Sequence, residues 1–162
     1  MRIILSILLT GILLSNVESF GQIKNVHQKI AIDVKIDTQY SKNIIAGYKV
    51  ETTLTNVSND TISYLTMSCS WEDLYATNRN DYFILASLCD KNIPILARIA
   101  PHQKVIRIFE MDNHTKTIMP GSVNLKIGFH FIPVNSSESI IDKSKEISET
   151  SNIIWSKELT SF

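Results

Sequence analysis

The residues that could do chemistry are few and widely spaced. Cys69 and Cys89, the only two cysteines, stand 20 positions apart in MSCSWEDLYATNRNDYFILASLCDKN. A nucleophilic thiol needs a base beside it, and that base would have to be one of four histidines: His27, His102, His114 or His130. His27 lies near the start, His102 and His114 fall in turns, and His130 is on the polar side of an alternating run, so solvated imidazoles are the expected reading. A zinc site draws its ligands at short spacing, and the chain has neither C-x-x-C nor H-x-x-x-H. Asp112, Asn113 and His114 form no recognised catalytic unit, and no G-x-S-x-G, H-E-x-x-H or phosphate loop occurs. The expectation is a protein that is not an enzyme, with no catalytic residue, no cofactor and no metal.

The compartment decides what two thiols do. Met1 and Arg2 give a short positive start, and Ile3 to Leu14 is apolar apart from Ser6, Thr10 and Gly11. That run is shorter than the ~20 residues of a membrane span and has the length of a signal-peptide core. Ser19 and Gly21 then offer a small-x-small cleavage pattern, with Val17 and Ser19 as a second option. The expectation is a signal peptide over 1–21 and a mature chain from Gln22, periplasmic or extracellular. The junction SFGQ resembles signal-peptide ends of secreted proteins of Gram-negative bacteria. Two cysteines in an exported chain usually pair. A Cys69–Cys89 disulfide closing such a loop would contribute about 3 kcal/mol. Free thiols and a metal site are the alternatives.

Sixteen basic residues balance sixteen acidic ones, with no run of like charge. This excludes the basic patch of a nucleic-acid binder and the basic amphipathic helix of a membrane-surface binder. No second apolar stretch is long enough to span a membrane. Sequons at Asn56, Asn59, Asn113 and Asn135 would accept glycans in a eukaryotic secretory route and are turn composition in a bacterial one.

The elements that would position any site are strands. In KIAIDVKID, Ile30, Ile32, Val34 and Ile36 alternate with polar residues and Ala31; in GYKVETTLTN, Tyr48, Val50, Thr52 and Leu54 do; in SVNLKIGFHFI, Val123, Leu125, Ile127, Phe129 and Phe131 do. Period two marks a sheet with one face buried. Weaker strands fall at 61–67, 81–87, 93–99, 104–111 and 152–159, with Pro101 and the MPGS turn at 119–122 as punctuation. Seven or eight short strands with turns between them predict an all-β fold, an antiparallel Ig-like β-sandwich over 22–162. Its predicted interior includes Ile32, Val34, Val50, Leu54, Leu125, Ile127, Phe129 and Trp155. The polar stretch 135–152 reads as a long loop, with one helical turn around Ile140 to Ile147. Trp71 follows Cys69 too closely for an antibody-type core, so the disulfide is expected to be a loop staple, not an inter-sheet bridge.

VETTLTNVSNDTISYL, IAPHQKVIRIFEM and PGSVNLKIGFHFI resemble the strand–turn–strand succession of small exported bacterial Ig-like domains of fibronectin type, and partly that of proteinase-inhibitor-like sandwiches. The resemblance covers roughly residues 30 to 132. It implies a fold and, because such folds host many roles, no particular ligand; no inhibitor's reactive residue carries over. The functional expectation is an exported non-enzymatic binding or assembly module whose partner is a protein or cell-envelope component. The alternative is an inhibitor of an extracellular or periplasmic protease, acting through the 70–88 loop with Trp71, Tyr75, Tyr82 and Phe83 as its candidate contacts.

Overall fold

The structure, a computed structural model, describes residues 29–40, 46–113, 124–148 and 152–159. The expected signal peptide, the MPGS turn, His27 and His114 lie outside them. The described residues form nine strands, all paired antiparallel.

β1 (Ile30–Tyr40) and β2 (Ala46–Asn56) are the two most regular alternating stretches, and they pair in the register Ile32↔Leu54 and Ile36↔Val50. That register puts Ile30, Ile32, Val34, Ile36, Tyr48, Val50 and Leu54 on one face. β2 also pairs with β7 (Lys104–Asn113), and the far end of β7 pairs with β5 (Tyr82–Leu85), giving the order β1-β2-β7-β5. Opposite Leu54, Val50 and Tyr48 lie Val105, Phe109 and Met111, which extend the buried face across the sheet.

β3 (Ile62–Met67) pairs with β6 (Pro94–Ile99) in a two-stranded sheet. β4 (Tyr75–Thr77), β8 (Ile127–His130) and β9 (Ile153–Trp155) form a three-stranded one. The chain beyond β8 joins these two sheets: Leu65 N–H donates to Ile132 O at 2.9 Å and Val134 N–H to Ser63 O at 3.1 Å. The inner faces of all three sheets share one cluster, with Leu54, Ile99, Met111, Leu125, Ile127 and Phe129 deep inside and Val34 packed against its edge.

The polar stretch after Val134 is helical in part. Ser139 caps α1 (Ile140–Ser144), its Oγ accepting from Asp142 N–H at 3.4 Å, and a 3-10 turn continues over Lys145–Ser148. Lys143 lies between Glu138 at 3.3 Å and Glu146 at 2.9 Å, and both carboxylates hold its ammonium pKa above the usual lysine value. Ile140 and Ile147 anchor the segment on a satellite core of Leu65, Ile132 and Val134.

One expected core residue is not in the core. Trp155 is 39% exposed, and Ile154 is buried in its place. The β8–β9 register explains the phase: Trp155 lies opposite Gly128, whose missing side chain leaves the outer face of β8 open to the indole. Ile154 and Ser156 turn inward, and Ser156 exchanges hydrogen bonds with the Ile127 backbone at 2.9 and 3.1 Å. β4 is a ninth strand that the sequence expectation did not include.

Candidate functional site

The segment between β3 and β6 carries most of the candidate residues. The chain leaves β3, makes a 3-10 turn over Trp71–Leu74, runs through β4, turns at 78–81 and returns as β5. β4 and β5 belong to different sheets, so this segment passes from one to the other. Thr77 Oγ1 secures the crossing, donating to Arg79 O (2.7 Å) or Tyr82 O (3.0 Å). At its tip the Arg79 guanidinium grips both Asp81 oxygens, at 2.8 and 2.7 Å, which holds the Asp81 carboxyl below the usual aspartate range.

Cys69 and Cys89 are joined by a disulfide, with their Cα atoms 6.3 Å apart, inside the range such a bridge needs. The bond links the residues just after β3 to those just after β5, outside the strands themselves. It therefore ties together chain ends that leave two different sheets. Polar contacts run alongside it. Ser68 N–H donates to Ile93 O at 2.9 Å, Ser70 N–H to Asn92 Oδ1 at 3.2 Å, and Ser70 Oγ to Ser87 O at 3.2 Å.

Tyr75 and Tyr82 are buried, Trp71 is half-buried, and Phe83 is half-buried on the outer face of β5, in register with Asp112. The Trp71 ring meets Tyr75 edge-on at 6.0 Å, and Tyr75 in turn contacts Phe109 at 4.9 Å and Phe129 at 5.0 Å. The Arg107 guanidinium lies 5.1 Å from the Trp71 ring centre, a cation–π contact that anchors the indole. Tyr82 packs on Tyr48 at 5.8 Å. Three of the four aromatics are thus built into the packing between sheets.

The Tyr75 hydroxyl and Thr52 Oγ1 are 3.0 Å apart inside this packing. Burial pushes the Tyr75 phenol up to about 12, against the opposing effect of the Thr52 hydrogen bond. Burial also raises Tyr64, against the Arg107 charge. Both phenols stay protonated at neutral pH and have no phenolate character to offer a reaction.

Of the histidines, His102 is exposed in the turn before β7, with a left-handed φ of 60°, and His130 is half-buried on β8. Among the described residues no group of three His, Cys, Asp or Glu side chains could hold a metal. Of the sequons, Asn59 and Asn135 are exposed, whereas Asn56 and Asn113 are buried and inaccessible to a glycosylating enzyme.

Glu72 was not among the expected site residues. Its residue is only 7% exposed. Oε1 accepts from Ser87 Oγ, and Oε2 has no hydrogen-bond partner among the described residues. Glu72 lines a cleft of about 220 Å³ between the 3-10 turn, β4 and β5, together with Asp73, Tyr75, Ala76, Thr77, Ile84 and Ala86. No periodicity marks SWEDL as inward-facing, so the sequence carries no signal for this carboxylate.

The second unforeseen feature is the edge of β7. β5 pairs only with residues 110–113 of it. On that side the stretch Lys104–Phe109 has no strand partner among the described residues. No protein-family model matches the chain, and no curated protein or solved structure resembles it significantly.

Proposed function

We propose that this chain is an exported, non-enzymatic binding or assembly module on an Ig-like sandwich, and that it receives an extended segment of a protein or cell-envelope partner along the open half of β7. The observation that carries the reading is that edge. Ile106 and Ile108 are 56% and 48% exposed on its outer face, beside backbone groups that no described strand pairs. A bare apolar edge is a hazard that soluble proteins usually blunt; an added partner strand completes the ladder and covers the apolar side chains. The disulfide supports the exported half of the reading, because such bonds persist in oxidising compartments. No helix among the described residues is long and apolar enough to cross a membrane.

The inhibitor alternative would need the 70–88 aromatics to face a protease, and Tyr75 and Tyr82 are occupied in packing. Affinity capture from the native host with wild type and with an Ile106→Lys/Ile108→Lys double variant tests the proposal. Both positions are exposed, so the variant should fold. The expected result is an envelope component retained by the wild type and lost by the variant. Stoichiometric recovery of a protease, undiminished in the variant, would overturn it in favour of inhibition.

A further inference from the structure

Among the described residues, two strand edges are free on one flank of the molecule. The 57–61 turn joins β2 to β3 and the 100–103 turn joins β6 to β7; β7 lies outside β2 in one sheet, and β6 lies outside β3 in the other. β6 pairs only with β3, so its edge lies beside the open half of β7. Between them the flank opens on the space between the sheets. There Tyr64 and Thr66 of β3 face Val105 and Arg107 of β7 around a recess that Trp71 also lines. Arg107 is the one charged side chain in that lining among the described residues. It is half-buried, with its guanidinium over the Trp71 ring. Among the described residues that guanidinium makes no ion pair and donates no hydrogen bond. The carboxylates of the neighbouring elements are engaged elsewhere: Glu51 with Lys35, Glu72 with Ser87 and Asp73 with Asn92. The recess, about 10 Å³, holds one water at most, so a fixed counter-charge has to arrive on a chain laid along the edge.

We propose that the segment received by β7 carries an acidic side chain, aspartate or glutamate, at the position that turns inward opposite Arg107. The inference rests on β7 as a docking edge and adds the chemistry of what docks there. Successive residues of an added strand point to opposite faces. One set covers the exposed Ile106 and Ile108 on the outer face and is apolar. The other turns toward Val105, Arg107 and Trp71. A directly opposed pair of unlike charges favours strand pairing, and a pair of like charges opposes it. Arg98 and Lys104, both exposed where β6 and β7 border the 100–103 turn, give this flank the same positive sign. A second copy of this chain pairing through the same edge supplies no counter-charge, because residues 104–109 include no acid.

The test titrates two blocked heptapeptides, VTVEVTV and VTVKVTV, into the isotope-labelled protein, disulfide intact, and reads the backbone amide shifts of residues 104–109. The glutamate peptide is expected to bind about fivefold tighter than the lysine peptide, or more, at low salt, and the ratio should shrink at high salt. Arg107→Gln should bring the ratio to one. Arg107→Glu should invert it, a reversal that a purely structural role for Arg107 does not produce; the glutamine variant keeps the test alive if the glutamate variant does not fold. Equal binding of the two peptides at 104–109, or a ratio unchanged in Arg107→Gln, would overturn the acidic preference and leave edge docking standing. No shift at 104–109 with either peptide would overturn edge docking and the preference with it. A dimer seen by sedimentation that dissociates in Ile106→Lys/Ile108→Lys would overturn the proposal in favour of a second copy.

Discussion

Replacing Asn56 should damage the protein more than any other single polar change. The residue closes β2 and is completely buried. Its Nδ2 faces three backbone carbonyls, Asp60 O at 2.7 Å, Ile99 O at 3.0 Å and Ala100 O at 3.1 Å. Its Oδ1 accepts from Ser58 N–H at 2.9 Å and Ser58 Oγ at 2.8 Å. One side chain thus fastens the 57–60 turn and the β6–β7 corner to the end of β2. Net hydrogen-bond worth is about 1 kcal/mol each, more where the abandoned partner stays buried. The contacts at Ile99 O is fully enclosed and the others are part-buried, so Asn56→Ala should cost about 2–4 kcal/mol. For a domain of this size that corresponds to a melting-temperature drop of roughly 4–16 °C. Asn56→Asp is nearly isosteric yet should be worse, because it sets a carboxylate against three carbonyl oxygens. Burial raises that acid's folded pKa above its unfolded value of about 3.9. The variant should therefore regain stability toward low pH and lose it as pH rises through the folded value. Urea unfolding followed by circular dichroism measures both. An alanine variant within 1 kcal/mol of wild type, or an aspartate variant more stable than alanine at pH 7, would refute the reasoning.

Four further outcomes follow from the same structure. Cys69→Ser/Cys89→Ser should lower stability by about 3 kcal/mol with strand content unchanged in the far-ultraviolet spectrum. Gly128→Ala should cost about 1–2 kcal/mol and shift Trp155 fluorescence, because a Cβ there would meet Ile153 Cγ2 and lie 2.8 and 2.9 Å from Trp155 ring carbons. Tyr75 should titrate near 12 instead of 10.0; stability should fall as pH rises from 10 towards 12, since only the unfolded phenol ionises there, and Tyr75→Phe should reduce that loss. His102→Gly should raise stability by about 1 kcal/mol, relieving a left-handed backbone that a side chain disfavours, as thermal melting would record.

Period-two alternation made β1, β2 and β8 legible, clearest in β1 and β2, and the weaker stretch 104–111 is β7. Val50, Leu54, Ile127 and Phe129 are inward as that pattern requires. The phase of β9 was not legible. Ile153, Ile154 and Trp155 are all apolar, so three residues give no alternation, and only the glycine on the neighbouring strand decides which face the indole takes. β4 escaped for a related reason: Tyr75–Thr77 is too short to display a period, and its partner strand lies some fifty residues further along. The cysteine pair was legible from composition and the expected export, and the bond joins loops outside the strands as a staple does; that these loops leave two different sheets was not legible, because it depends on β3 and β5 pairing apart. The site features were the least legible. The burial of Glu72 depends on a 3-10 turn that no sequence period announces, and the open half of β7 exists only because β5 stops at Leu85.

Export of a module stapled between Cys69 and Cys89 is the central proposal, and one mass measurement on protein taken from its native cells, alkylated without reduction, addresses it directly. The predicted species begins at Gln22, carries no alkyl group on Cys69 or Cys89, and is lighter than the corresponding dithiol by the two hydrogens lost in forming the bond. A species that keeps Met1, or one alkylated at both Cys69 and Cys89, would contradict it.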